Sequence, residues 1–302
     1  MGSETSKKIA VIGASSMVGS RFCELFKKPQ NLTKADLTGQ NSIDITNSSS
    51  VDKFFAKNNF DVAILFSAYT DVDGAEAQRN DKNGSCWQIN VSGLTNVVQA
   101  CQKNKKKLIF ISTSFVFDGE KGPYGETESR GGNLEKISWY GITKITGEEI
   151  VERLGLDFLT LRIAYPYRSS FPKKDDFARQ ILKKFEESSL YPMFTDQIIS
   201  PTFADDLAPA VETLLGSNSS GIFHLGSPSQ TTPYDFAFEL LKTYGKNPSQ
   251  LKKGSLADLL NGHGRTPRPV NSAMICDKIK SLGFEPTDWK EGIQKMFAQS
   301  KN

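Results

Sequence analysis

Histidine is almost missing from this chain: 302 residues contain two, His224 and His263, far apart in sequence. No H-E-x-x-H, no G-x-S-x-G and no G-x-x-x-x-G-K-[ST] pattern occurs. Zinc-hydrolase, serine-hydrolase and P-loop chemistry are hard to build from that inventory. His224 stands in the apolar run Ile222-Phe223-His224-Leu225, and a hydrogen-bonded structural histidine is the expectation there. The four cysteines, Cys23, Cys86, Cys101 and Cys276, form no C-x-x-C pair and read as thiols of a reducing, cytoplasmic setting. No apolar run reaches the length of a membrane span, and no charged-then-apolar leader opens the chain. Gly2-Ser3-Glu4-Thr5-Ser6 fits a loose myristoylation pattern, but a strand follows almost at once and an untied tail is the better reading. Triplets such as Asn31-Leu32-Thr33 carry no glycosylation message in that setting. A formal net charge of +3 predicts no strong field for nucleic acid. The densest basic stretch, Lys103-Asn104-Lys105-Lys106-Lys107, reads as a solvated helix end before a strand.

What is present is ordinary for a globular protein: 38% hydrophobic and 24% charged residues. The first half alternates short apolar runs with helical spacing. Strands are expected at 8–12, 35–38, 61–67, 107–112 and 158–163, with helices at 17–27, 51–58, 84–104 and 139–154 between them. That alternation predicts βαβ units, hence an α/β fold: a Rossmann-type, doubly wound parallel sheet covered on both faces. After Ile163, prolines at 166, 172, 192 and 201 punctuate shorter elements. The helix expected at 204–215 and the strand at 221–225 read as returns to the large sheet. The expected division is therefore a dinucleotide-binding domain, 1–165 plus about 197–226, and a smaller discontinuous substrate lobe, about 166–196 plus 227–302.

The first strand runs into Gly13-Ala14-Ser15-Ser16-Met17-Val18-Gly19. A glycine-rich turn opening a helix presents backbone amides and a positive dipole end to a pyrophosphate. Gly13 permits the tight turn and Gly19 close helix packing. Ser16 occupies the middle glycine position, where its side chain is expected to limit backbone approach. Further on, Tyr140 and Lys144 stand four apart, on one face of a helix. An ammonium beside a phenol favours phenolate, so the pairing predicts a tyrosine pKa lowered from about 10 toward neutrality. The hydroxyl of Thr113, a short way upstream, could hold a substrate oxygen against the phenol.

These motifs, with Asp71-Val72-Asp73-Gly74-Ala75-Glu76, Asn90-Val91, Val116-Phe117-Asp118-Gly119, Gly147-Glu148, Leu161-Arg162 and Arg268-Pro269-Val270-Asn271-Ser272, resemble an extended short-chain dehydrogenase/reductase. More narrowly, the chain is similar to the dTDP-4-dehydrorhamnose reductase family, almost end to end. The resemblance implies an NAD(P)H-dependent reduction of a 4-keto nucleotide sugar. It implies a catalytic trio of Thr113, Tyr140 and Lys144. It places cofactor at Gly13, Ser15, Ser16, Met17, Val18, Gly19, Gln40, Asp44, Ile45, Ser67, Ala68 and Tyr69, together with Tyr140 and Lys144. It assigns the substrate to Thr113, Ser114, Phe115, Tyr165, Arg268 and Asn271, with the arginine fork on a diphosphate; no residue is assigned to a metal, and the sequence leaves open whether a divalent ion bridges subunits. The chain departs from the family at Ser114-Phe115, where many members carry aspartate and tyrosine, and at Tyr165, where tryptophan is usual. The hydride chemistry is untouched by these changes, but the particular sugar is left open. No acid is evident in Thr38-Gly39-Gln40-Asn41 to grip a free 2′-hydroxyl, Asp36 reads as lying within the second strand, and no arginine stands there for a 2′-phosphate. NADPH is the expected cofactor, with NADH close behind. The expected partner is a small-molecule nucleotide sugar, with no nucleic acid and no membrane; a homodimer is compatible with the sequence. Two alternatives remain at this point: a reductase of a different nucleotide sugar, and a non-catalytic regulatory subunit resembling that of methionine adenosyltransferase.

Overall fold

A computed structural model describes residues 7–153, 155, 157–262 and 264–301, so the Gly2–Ser6 pattern, His263 and Leu154 at the expected helix end lie outside the described residues. Six strands form one parallel sheet: β1 (Ile9–Ile12), β2 (Leu32–Ala35), β3 (Val62–Leu65), β4 (Lys107–Thr113), β5 (Phe158–Ile163) and, after a two-residue β6 (Met193–Phe194), β7 (Gly221–Leu225). The order is β2-β1-β3-β4-β5-β7. Every pairing in this sheet is parallel. Strands β1 and β3 are buried at every residue, which is why their sequences are unbroken apolar runs.

Two apolar layers sandwich the sheet. On one face Phe22, Val11, Ile64, Leu161, Val211 and Leu214 pack together. On the other, Ile12, Phe54, Leu65, Val97, Val98 and Phe110 do so. The chain reverses direction across the sheet between β1 and β3, and ligands of such folds collect at the carboxyl ends beside that reversal. A third cluster packs Ile181, Phe236, Trp289 and Ile293 of the helices Phe177–Glu186, Pro233–Thr243 and Trp289–Gln299 against Tyr167 and Phe203 from the connecting segments. The small parallel pair β6 and β8 (Lys253–Gly254) lies beside them.

Three sequence expectations shift. The second strand spans 32–35, not 35–38. Its residues Leu32-Thr33-Lys34-Ala35 bury only Ala35, so apolarity hardly marks it. Lys107 is not solvated: it is 7% exposed, and its ammonium donates to the Ser219 carbonyl at 2.7 Å and pairs with Asp157. The stretch expected as one helix over 84–104 is three segments, with a wider π-turn over Gln88–Gly93 ahead of the Leu94–Lys103 helix.

Candidate active site

Strand β1 runs into Gly13, whose φ of +85° suits glycine, and a Cβ there would lie 2.6 Å from the Ser67 amide. A Cβ on Gly19 would meet the Gly13 carbonyl at 2.4 Å. Both glycines are therefore dictated by close backbone approach between turn, helix and β3. Ser16 caps the Met17–Leu25 helix, its hydroxyl accepting from the Gly19 amide at 3.0 Å. The first amides of the helix, at Met17 and Val18, precede any intrahelical partner. A turn this tight at a helix N-terminus fits a dinucleotide pyrophosphate.

Asp36 was expected inside a strand; it follows the last residue of β2. Its carboxylate accepts from the Ser15 amide at 3.0 Å, which ties the strand end to the glycine-rich turn. The acid thus sits where a dinucleotide fold holds a ribose hydroxyl. Nearby, Asp44 turns its carboxylate onto the Thr46 amide and hydroxyl, at 2.9 and 2.7 Å. Ile45 packs against Gly93, and its carbonyl accepts from Asn96 at 2.8 Å. The Gln40 carbonyl accepts from Lys57 at 3.2 Å.

At the end of β3, Ser67, Ala68 and Tyr69 are followed by the short Val72–Glu76 helix. Asn90 holds this segment. Its carbonyl oxygen accepts from the Tyr69 amide at 2.8 Å, and its amide donates to the Tyr69 carbonyl and to the Thr143 hydroxyl, both at 3.0 Å. Glu76 then reaches the start of the Trp139–Arg153 helix, accepting from the Trp139 amide at 2.7 Å. A carboxylate at a helix N-terminus is favoured by the dipole and by an amide without an internal partner. Neither Asn90 nor Glu76 was assigned a role from sequence, although both stand inside the motifs quoted above.

Tyr140 and Lys144 lie on that helix, both buried. The Thr113 hydroxyl at the end of β4 lies close enough to the Tyr140 phenol to favour its ionised form, so two of the three expected catalytic groups are neighbours. The Lys144 ammonium donates to the Ile111 carbonyl at 2.7 Å and stands 4.1 Å from the centre of the Phe110 ring. The expected lowering of the phenol is not found. Burial pushes Tyr140 up to about 12, against the opposing effect of the Thr113 hydroxyl. Burial also brings Lys144 down to about 7, against the charge of Glu148. The reason is physical: at the pH where the phenol would ionise, the buried amine has already lost the charge that would stabilise phenolate.

The expected substrate residues are only partly brought together. Phe115 packs edge-on to Tyr140 with ring centres 5.9 Å apart, and lies 5.9 Å from Tyr165. Tyr165 adopts a φ of +43°, and its hydroxyl accepts from Gln197 at 3.1 Å. Ser114, by contrast, is fully buried, and its hydroxyl has no hydrogen-bond partner among the described residues. Asn271 packs on Gly122, and its oxygen accepts from the Ala273 amide at 3.1 Å. Arg268 grips Asp73 of the Val72–Glu76 helix, with Nη2 at 2.9 Å from each carboxylate oxygen.

Below the site, Glu148, one turn beyond Lys144, is fully buried and accepts from Arg162 Nε and Nη2 at 2.9 and 2.6 Å and from Ser112 at 2.5 Å. Arg162 Nη1 also faces His224 Nε2 at 3.2 Å. An arginine only donates, so Nε2 accepts and Nδ1 carries the proton given to the Ile275 carbonyl at 3.0 Å. His224 is the structural histidine expected, and burial brings it down to about 3.

Sheet order, glycine-rich turn and the tyrosine–lysine helix together define an extended short-chain dehydrogenase/reductase. Residues 7–302 match the family model described as the RmlD substrate binding domain, and the chain belongs to that family. Among curated relatives, it is 30% identical to a probable low-salt glycan biosynthesis reductase of Haloferax volcanii, over 72% of this chain and 71% of that one. It is 28% identical to the dTDP-4-dehydrorhamnose reductase of Mycolicibacterium smegmatis, over 97% of this chain and 86% of the other. The crystal structure of dTDP-4-dehydrorhamnose reductase from Bacillus anthracis in complex with NADP superposes with a TM-score of 0.84, covering 99% of this chain and 100% of that one. At 24% identity that likeness shows the fold.

Proposed function

We propose that the protein is an NAD(P)H-dependent reductase of a 4-keto nucleotide sugar, with dTDP-4-dehydro-L-rhamnose as the leading substrate and dTDP-L-rhamnose as its product. The observation that carries this is the buried Tyr140 phenol close to the Thr113 hydroxyl at the carboxyl end of β4, two strands along the sheet from the glycine-rich turn. When bound, reduced nicotinamide supplies hydride. Every other requirement falls to the chain. The carbonyl oxygen becomes an alkoxide as hydride adds, and two hydroxyls positioned in advance stabilise it. Tyr140, protonated at working pH, gives its proton to that oxygen, and the product is an alcohol. Lys144, fixed on the Ile111 carbonyl, lies one turn along the helix and, when charged, favours the phenolate that remains. Relatives named as reductases of this sugar support the substrate class. They favour an enzyme over a regulatory subunit.

Cofactor preference follows from Asp36. A carboxylate at the end of β2 accepts from a free 2′-hydroxyl and repels a 2′-phosphate, and the turn that follows, Leu37 to Asn41, contains no cation. NADH is therefore the preferred donor. The test is to mix the protein with NADH or NADPH and a panel of 4-keto nucleotide sugars and follow loss of reduced-nicotinamide absorbance. Oxidation is expected with the dTDP sugar, at lower KM for NADH, and Asp36→Asn should narrow the difference. Silence across the whole panel removes the reading.

A further inference from the structure

The Arg268–Asp73 ion pair crosses 195 residues of sequence and joins the late Arg-Pro segment to the Val72–Glu76 helix. Both side chains are accessible, at 24% and 67% exposure. Burial pushes the Asp73 carboxylate up, but Thr266 and Arg268 outweigh it and hold the group below its usual range. Asp73 is therefore an anion at working pH. The guanidinium also acts electrostatically on Tyr165 and Tyr191. Tyr165 is one aromatic ring, Phe115, away from Tyr140. Arg268 further lines a cavity of about 780 Å³ with Leu260, Pro267, Val270 and Lys136. A fork of donors is thus placed between the aromatic approach to the phenol and an adjoining cavity, with a carboxylate seated on it.

We propose that Asp73 is an internal competitor for the diphosphate of the substrate, occupying Arg268 until a nucleoside diphosphate displaces it. The proposal rests on the nucleotide-sugar reading above. An accessible ion pair is weak, favouring the paired state by no more than about fivefold. A diphosphate carries more charge and more acceptor oxygens, and binds a guanidinium through parallel hydrogen bonds. The exchange is therefore favourable, and apparent affinity is lowered by the fraction of Arg268 already engaged.

Calorimetric titration of the full chain with thymidine 5′-diphosphate tests this. Asp73→Asn should bind about two- to fivefold more tightly than wild type, and Asp73→Ser should do the same. Arg268→Ala should bind at least about tenfold more weakly. The decisive arm is Asp73→Asn in the Arg268→Ala background, where the gain should vanish because the competitor has nothing to compete for. An equal gain in that background would make Asp73 a general repulsive charge and overturn the proposal. Unchanged affinity in both Asp73 variants, or no binding by wild type, would overturn it as well. The two readings fail separately. This binding pattern without turnover of any 4-keto sugar removes the reductase and keeps the exchange. Turnover with an unmoved KM in Asp73→Asn does the reverse.

Discussion

Two successive turns of the Trp139–Arg153 helix treat charge in opposite ways. At Glu148 a fully buried carboxylate takes three hydrogen bonds, from Ser112 and twice from Arg162, and its partner arginine is itself backed by His224. At Lys144, equally buried, the ammonium has a single carbonyl, the face of an aromatic ring and no carboxylate within bonding distance among the described residues. A satisfied buried pair joins the helix to β4 and β5. An undersatisfied group is left able to change its protonation state, which proton transfer needs. Structural and chemical demands are thus separated by one helical turn.

That contrast can be broken at either end. The largest effect is expected from Tyr140→Phe: loss of a positioned proton donor should lower kcat about a hundred- to ten-thousand-fold, while cofactor binding, followed by nicotinamide fluorescence, is retained. Glu148→Ala leaves Arg162 buried without its partner, and such a break costs about 3–5 kcal/mol, read as a lower midpoint in urea unfolding. Lys144→Met sharpens the comparison through pH. The folded pKa of about 7 lies below the unfolded value, so the unfolded chain binds more protons between the two. Wild-type stability should therefore rise with pH across that window. The penalty is complete below about 7, and the stability advantage of Lys144→Met should shrink as pH rises from neutral toward 10. A flat difference across that range would show that the amine is not held against its charge. The smallest effect belongs to Arg153, exposed and paired with Glu149 at i,i+4, where Arg153→Ala should change stability by no more than about 0.5 kcal/mol.

Much of this was legible because burial writes itself into apolar runs. β1, β3, β4 and β5 stood out, and so did the turn at Gly13 and the Tyr140–Lys144 spacing. β2 did not, since three of its four residues are not buried, and the misplaced strand hid the position of Asp36. Charged residues were the other failure. Lys107, Glu148 and Arg162 are chemically indistinguishable in sequence from solvated ones; only the partner across the fold reveals why each is buried. The phenol was misjudged for a related reason. Spacing shows that an amine is near, but it does not show that burial has already weakened the charge of that amine. Arg268 was read as a diphosphate ligand, while the carboxylate seated on it stood in a motif whose role was left blank.

The central claim is that this site delivers hydride to a sugar carbonyl and a proton from Tyr140 to its oxygen. Reduced cofactor deuterated at the transferred position, incubated with the protein and a dTDP-4-keto sugar, tests it most directly by NMR of the product. The account predicts deuterium on the former carbonyl carbon and an exchangeable proton on its oxygen. Cofactor that binds but keeps its label, with the ketone unchanged, would contradict it.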